Sequence, residues 1–83
     1  MKIRKKYGDK NIVGKRIYEL RTRRGIKQKE FLAWIQVAGI DMNPSSLSKI
    51  EGQERMVTDS EVKVIAKVLN VSSDYLLGMD KEH

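Results

Sequence analysis

The sequence predicts an all-α domain of five short helices. Apolar residues recur at helical spacing, and few stretches show the alternation typical of strands. Helix-start signals stand at Asn43 and Thr58, and glycines stand where helices are predicted to end. The 83 residues are enough for one small domain, with no internal repeat and no linker that would separate a second domain.

The first predicted helix begins after Asn11, an N-cap residue, and runs to Arg24. Gly25 suits the position just past its end. Its buried stripe has i, i+4 and i+7 spacing and consists of Val13, Ile17 and Leu20. The lysine-rich residues 1–11 that precede this helix lack apolar periodicity, and we expect them to form a mobile basic arm.

The second helix is predicted from about Gln28 to Gln36. Its buried face is expected to consist of Phe31, Leu32 and Ile35. The next residues, 37–42, include Gly39 and an acidic residue and are predicted to form a turn. The single tryptophan, Trp34, has two interpretations, since it could cover this turn or belong to a partner surface.

The third helix has the clearest start signal, because a capping Asn43 is followed by Pro44 at the first helical position. It is predicted to end at about Glu51. Its only large apolar residues are Leu47 and Ile50, so the rest of its surface is expected to face outward. That outward surface consists of Ser45, Ser46, Ser48 and Lys49.

The fourth helix opens with a capping box, in which Thr58 and Glu61 satisfy each other's backbone donors. A last short helix is capped by Ser72, runs through Leu77 and stops at Gly78. The apolar face of the fourth helix is expected to consist of Val62, Ile65, Ala66 and Leu69.

The predicted core draws on all five helices. Two methionines that flank turns, Met42 and Met56, are expected to fill gaps in it. Leu77 is expected at a dimer contact, next to a buried Leu76. The core is predicted to contain Val13, Ile17, Leu20, Ile26, Phe31, Ile35, Leu47, Ile50, Val62, Ile65, Leu69 and Leu76.

Positive charge is concentrated at the start of the chain. Residues 1–27 hold eleven Lys or Arg against two acids, a net charge of +9, whereas residues 28–57 carry −1 and residues 58–83 carry −2. A polyanion would therefore meet the first third of the chain. The alternative is that the basic arm serves only solubility.

The composition excludes several classes of protein. There is no cysteine, and the single histidine is His83, so thiolate or multi-histidine metal sites and a cysteine nucleophile are excluded. No paired carboxylates stand near such a residue and no phosphate-binding glycine loop is present, so we expect no enzyme and no cofactor. No apolar run approaches the length of a membrane span, and the protein is expected in the cytoplasm without membrane contact.

Taken together, the motifs resemble the phage-repressor/Cro-type (XRE) family of helix-turn-helix domains. The matching stretches are residues 13–17, 19–21, 28–31, 47–51, 66–71 and 75–78. The combination of Leu47-Ser48-Lys49-Ile50-Glu51 with the Ala-x-x-Leu-x-Val pattern of residues 66–71 is specific, although each piece alone would be weak. Residues 12–78, about four fifths of the chain, are covered, and residues 79–83 are left as a tail.

The resemblance implies a five-helix lambda-repressor-like domain whose second and third helices form the helix-turn-helix. It also implies binding of double-stranded operator DNA, usually as a homodimer, with the third helix in the major groove. The turn over residues 37–42 is longer than in the compact version and matches a longer-turn branch. The implied DNA contacts are Gln28, Asn43, Ser45, Ser46, Ser48, Lys49, Gln53 and Arg55.

The resemblance also implies an ion pair between Arg21 and Glu51, which would tie the third helix to the first. We class this pair as structural support rather than as a base contact. An isolated surface pair would contribute little, whereas breaking a half-buried pair costs more.

The leading functional interpretation is a sequence-specific DNA-binding transcriptional regulator, most simply a repressor. The runner-up is a protein-interaction module, such as an antitoxin-like partner, on the same scaffold. The acidic last third of the chain suits a protein partner, while the basic first third favours DNA.

Overall fold

A computed structural model describes residues 8–79 and contains five α-helices in that range. The helices are α1 (Gly14–Arg23), α2 (Gln28–Val37), α3 (Pro44–Glu51), α4 (Asp59–Leu69) and α5 (Ser73–Leu76). Contacts join α1 to α3, α2 to both α3 and α4, and α4 to α5. The predicted all-α fold is confirmed, and α2 and α3 each agree with their predicted bounds to within one residue.

The core is formed by one apolar face of each helix. Two predicted members are wrong, because Ile26 and Val62 are only partly buried at the edge of the core. Ile26 lies in the connection between α1 and α2, and Val62 lies in the first turns of α4. The buried apolar residues are Val13, Ile17, Leu20, Phe31, Leu32, Ile35, Met42, Leu47, Ile50, Ile65, Ala66, Leu69 and Leu76.

Three of the four predicted side-chain caps form as expected. Asn43 Oδ1 accepts the backbone N–H of the third residue of α3 at 2.8 Å. Thr58 Oγ1 accepts the N–H of Glu61 at 3.1 Å, and Glu61 Oε1 accepts the N–H of Thr58 at 2.9 Å, which completes the capping box. Ser72 Oγ accepts an N–H of α5 at 3.0 Å. These local signals therefore set the starts of α3, α4 and α5.

The predicted start of α1 is wrong. The helix begins at Gly14, and Val13 rather than Asn11 occupies the N-cap position. Asn11 Oδ1 does accept the N–H of Gly14 at 2.8 Å, but Asn11 Nδ2 donates to the carbonyls of Ile50 (3.2 Å) and Arg55 (2.8 Å). These tertiary bonds hold Asn11 against the end of α3 and outside α1.

The prediction of a mobile arm is wrong for its last residues. The N–H of Gly8 donates to the carbonyl of Gly52 at 2.8 Å, and the N–H of Lys10 donates to the carbonyl of Gln53 at 2.9 Å. Both acceptors immediately follow α3. The chain before α1 is therefore docked on the α3–α4 loop, while residues 1–7 lie outside the described residues.

The two turn methionines differ. Met42 is buried at 4% exposure, as predicted, but Met56 is 73% exposed and its prediction as a core residue is wrong. The neighbouring Val57 packs against the core in its place. Trp34 remains 45% exposed on α2. Leu77 is half-buried against the core beside α5.

Candidate nucleic-acid interface

Helix α3 divides sharply into a buried face and an exposed polar face. Leu47 and Ile50 are both fully buried. Ser45, Ser48 and Lys49 are exposed, and Ser46 is half-buried. With eight residues, the helix is about 12 Å long, so two anchoring residues hold its whole length against the domain.

A buried ion pair fixes the end of α3. Arg21 Nε lies 2.7 Å from Glu51 Oε2, and Arg21 Nη2 lies 3.0 Å from Glu51 Oε1, with both side chains at least nine-tenths buried. Arg21 Nη1 also donates to the carbonyl of Ile26 at 2.8 Å. The pair expected from the sequence is therefore present, in the bidentate form that only a guanidinium provides.

Gln28 connects this ion pair to the exposed face of α3. It is the first residue of α2, and its Nε2 donates to Glu51 Oε1 at 3.1 Å. Its Oε1 accepts from Ser48 Oγ at 3.4 Å. The first turn of α2 and the polar face of α3 are thus held in one hydrogen-bonded unit. Gln28 Nε2 carries two hydrogens, and the Glu51 bond uses one of them.

In the loop after α3, the side chains predicted to contact DNA form hydrogen bonds to other groups of the domain. Gln53 Nε2 donates to the carbonyl of Asn11 at 2.8 Å. Arg55 forms a bidentate ion pair with Glu61 at 3.1 and 3.0 Å and also donates to the carbonyl of Met56 at 2.8 Å. Hydrogen bonding from Arg55 holds the pKa of Glu61 below its usual range, although partial burial acts the other way. The same contact raises the pKa of Arg55.

Several cations of the first third of the chain also interact with other groups of the domain. Arg21 is buried, the guanidinium of Arg16 lies 5.6 Å from the centre of the Tyr75 ring, and Arg24 Nη1 donates to the carbonyl of Leu69 at 2.5 Å. The cations of α1 therefore do not act as one uniform basic surface. Sequence position alone did not separate the cations that brace the core from those that remain exposed.

The structure brings most of the predicted site residues together. Asn43, which caps α3, lies in the same segment as the exposed polar face, and Gln28 joins that face through Ser48. Gln53 and Arg55 follow α3 in the chain, but their side chains donate hydrogen bonds to acceptors within the protein.

Sequence reasoning missed the tertiary bonds of Asn11 and the ion pair that Glu61 forms with Arg55. The two partners of the Arg55–Glu61 pair are six residues apart on either side of a helix start, a spacing with no helical signature. The bonds from Asn11 span about forty residues, and nothing local in the sequence indicates them.

Two kinds of site were not found in the described part of the chain. No cluster of histidine or acidic residues among residues 8–79 could hold a metal ion. None of the helices in this range is long and apolar enough to cross a membrane.

Comparison with known proteins identifies the fold. No family model matches the chain, and no curated protein matches it in sequence. Among solved structures, the chain is similar to the restriction-modification controller protein C.AhdI from Aeromonas hydrophila, with 23% sequence identity and a TM-score of 0.66. The match covers 77% of this chain and 89% of that one. The five-helix arrangement therefore shares the fold of that protein.

Proposed function

We propose that this protein is a sequence-specific double-stranded DNA-binding transcriptional regulator, acting as a repressor, that reads the major groove with α3. The observation that carries the proposal is the exposed polar face of α3, held rigid by the buried pair of Arg21 and Glu51. A helix fits the major groove, which is about 12 Å wide, and base edges there are read by hydrogen bonds.

The exposed face of α3 supplies the groups for direct reading of bases. Ser and Asn side chains donate to and accept from base edges, and a lysine ammonium donates to the O6 and N7 acceptors of guanine. Lys49 also reaches phosphate when no guanine is opposite it. We assign base contacts to Asn43, Ser45, Ser46, Ser48 and Lys49.

The proposed phosphate contacts come from residues near this face. Gln28 stands at the start of α2, where free backbone N–H groups suit a phosphate. Its side-chain amide keeps a second hydrogen beyond the one bonded to Glu51, and we assign this hydrogen to the same phosphate. Gln53 likewise keeps a second amide hydrogen beyond its bond to Asn11. Arg55 keeps guanidinium hydrogens beyond those shared with Glu61, so we assign it a phosphate contact of reduced strength.

The solved neighbour supports the regulatory part of the proposal. That protein is described as a restriction-modification controller, and this chain shares its fold. We further propose a homodimer on DNA, since a single small module buries little DNA surface. The proposal assigns the chain no catalytic role and no cofactor.

The test is selection of the preferred duplex from a randomised pool, followed by fluorescence anisotropy with the selected and a scrambled duplex. We expect one sequence class to be enriched and bound at least about a thousandfold more tightly than the scrambled duplex. The double variant Ser45→Ala/Lys49→Ala should lose most of this ratio.

A matched control for this experiment is Ser60→Ala/Lys63→Ala, which removes the same residue types from the exposed surface of α4. The control should leave the ratio unchanged. Selection that enriches no sequence, or equal losses in the two double variants, would contradict reading by α3.

A further inference from the structure

A chain of hydrogen bonds runs from the buried ion pair to the exposed face of α3. Glu51 Oε1 accepts from Arg21 Nη2 at 3.0 Å and from Gln28 Nε2 at 3.1 Å. Gln28 Oε1 in turn accepts from Ser48 Oγ at 3.4 Å. The chain therefore begins at side chains that are at least nine-tenths buried and ends at an exposed hydroxyl on the face assigned to base reading.

The buried end of the chain determines how the Gln28 amide is turned. A guanidinium only donates hydrogen bonds, and the carboxylate that is ion-paired with it only accepts them. Glu51 therefore requires a donor from Gln28, which sets the amide NH₂ group toward the carboxylate and the amide oxygen toward Ser48. The reversed amide would place its carbonyl oxygen against the carboxylate, acceptor against acceptor.

The orientation of the amide determines the role of the Ser48 hydroxyl. A carbonyl oxygen accepts and cannot donate, so its bond to Ser48 requires the one hydrogen that the hydroxyl has. Because this hydrogen is directed at Gln28, Ser48 Oγ has only lone pairs left for a further partner. Ser48 is therefore held as a hydrogen-bond acceptor.

Ser45 provides the contrast on the same helix. Its side chain is exposed, and its hydroxyl makes no hydrogen bond to another group among residues 8–79. The hydrogen is therefore free to turn, and Ser45 can either donate to a base edge or accept from one. The two serines differ in donor and acceptor character because only Ser48 is bonded to Gln28.

We propose that Ser48 reads DNA as a hydrogen-bond acceptor and that Gln28 is the positioning residue that holds it in this state. This inference rests on the proposed function and names the base chemistry that one of its contacts selects. In the major groove, adenine and cytosine present an amino group where guanine and thymine present a carbonyl oxygen. An acceptor bonds to the amino group but is repelled by the carbonyl oxygen. The base that Ser48 contacts should therefore be A or C rather than G or T.

The first experiment measures this preference in the duplex selected from the randomised pool. Each base pair of the duplex is replaced in turn by the other three, and anisotropy measures binding of the parent protein and of Ser48→Ala. The pair that Ser48 contacts is the one at which Ser48→Ala removes a preference that the parent shows. There, we expect the parent to bind A or C on one strand about fivefold or more tightly than G or T, the scale of one hydrogen bond.

Gln28→Met tests the positioning role. Methionine fills a similar volume but has neither the amide donor nor the carbonyl acceptor, so the Ser48 hydroxyl is released and can also donate to G or T. The preference at this base pair should fall to about twofold or less. Loss of the proposed phosphate contact of Gln28 weakens the binding of every duplex alike and leaves this ratio unchanged.

The matched control is the base pair located in the same way with Ser45→Ala. Because Ser45 is not bonded to Gln28, the preference at that pair should be the same in the parent and in Gln28→Met. A second control removes only the amino group, with purine in place of adenine or pyrimidinone in place of cytosine. This change at the Ser48 position should weaken binding of the parent about fivefold and leave binding of Ser48→Ala unaffected.

A preference for G or T at the base pair located with Ser48→Ala would overturn the inference, as would an unchanged A or C preference in folded Gln28→Met. The absence of any Ser48-dependent base pair in an enriched duplex would also overturn it and leave the proposed function intact. Failure of the selection to enrich any sequence would overturn both. The base preference itself needs only the parent and Ser48→Ala, so it decides the acceptor role even if Gln28→Met does not fold.

Discussion

Arg21 and Glu51 are charged residues placed where apolar residues are the rule, with both side chains at least nine-tenths buried. Burial leaves none of their bonded polar atoms without a partner. The two side chains bond to each other, Arg21 also donates to the Ile26 carbonyl, and Glu51 also accepts from the Gln28 amide. A buried pair of this kind adds little net stability over an apolar pair, but it fixes geometry. Here it fixes the end of the helix assigned to DNA reading.

Arg21→Lys should therefore destabilise the fold, although it conserves the charge. An ammonium cannot reach both Glu51 oxygens and the Ile26 carbonyl in the planar arrangement seen for the guanidinium. We expect a loss of about 3 kcal/mol in the free energy of unfolding, measured by urea denaturation. Arg23→Lys, an exposed site on the same helix, should change this free energy by less than about 0.5 kcal/mol.

Single substitutions on α3 should separate specificity from general affinity. Ser45→Ala or Lys49→Ala removes one proposed base contact, which is worth about 1–3 kcal/mol of discrimination. We expect binding to the selected duplex to fall roughly tenfold or more, while binding to unrelated duplex falls much less. Anisotropy titrations with both duplexes measure the ratio. Lys49→Ala should also reduce the salt slope if the ammonium contacts phosphate.

At the scale of elements, α1 and α3 approach so closely that a side chain is excluded between them. A Cβ on Gly14 would lie 1.8 Å from the carbonyl oxygen of Ile50, which is backbone and cannot turn aside. Asn11 donates to the same carbonyl at 3.2 Å. This contact sets how far the end of α3 stands from α1.

Gly14→Ala should reverse the usual effect of replacing a helical glycine. Alanine normally favours a helix, but here it forces α1 away from α3 and disturbs the packing of Ile50. We expect a loss of about 2 kcal/mol or more in the free energy of unfolding. Lys15→Ala, at the next and exposed position of α1, should be near neutral or slightly stabilising. An unchanged urea midpoint for Gly14→Ala would contradict the close approach.

The start of α4 should carry a pH-dependent share of stability. Because the Arg55 bond lowers the pKa of Glu61 in the folded state, the pair stabilises the fold above the unfolded value of about 4.3–4.5 and loses this effect as the pH falls through the lower, folded value. Glu61→Gln keeps the capping geometry but not the charge. The variant should be less stable by about 1 kcal/mol at neutral pH, and the difference should shrink as the pH falls through the lowered folded value.

Local signals predicted the elements well and the tertiary roles poorly. Asn43 and Thr58 act within four residues of themselves, so their caps could be read from the sequence. Asn11 Oδ1 likewise accepts the N–H of a residue three positions on, but its Nδ2 donates to carbonyls far along the chain, which no local pattern indicates. Arg55 was expected to meet phosphate, and the nearby Glu61 competes for it. Spacing cannot indicate which of several acceptors a long side chain reaches.

At the scale of the whole molecule, the net charge of +6 is not spread evenly over the fold. Arg16 and Arg21 of α1 and Arg24 just after it contact an aromatic ring, a carboxylate and a backbone carbonyl of the domain. Other cations remain exposed in the described part of the chain, among them Lys15 and Arg23 of α1, Lys29 of α2 and Lys49 of α3. Under the proposed function, we expect these exposed cations to contribute to general affinity for DNA and the polar face of α3 to set its specificity.

The size of the molecule also bears on how it should assemble. The domain measures 40 × 31 × 25 Å, and equivalent points on successive turns of one DNA face are about 34 Å apart. Two copies side by side can therefore occupy successive major grooves without overlap when the 31 or 25 Å dimension, and not the 40 Å dimension, lies along the DNA axis. A two-fold arrangement requires the preferred duplex to be an inverted repeat, with half-site centres about ten base pairs apart.

We expect the free protein to associate weakly and to bind the selected duplex with two protomers. Joint binding to adjacent half-sites adds the contacts of both copies to one complex, so dimerisation is favoured on DNA even when the free protein is mostly monomeric. Sedimentation velocity of the protein alone and at saturation with duplex measures both states. Inserting about five base pairs between the half-sites turns them to opposite faces of the duplex, which should abolish joint binding. A single protomer per duplex at saturation, or indifference to the insertion, would contradict the dimer.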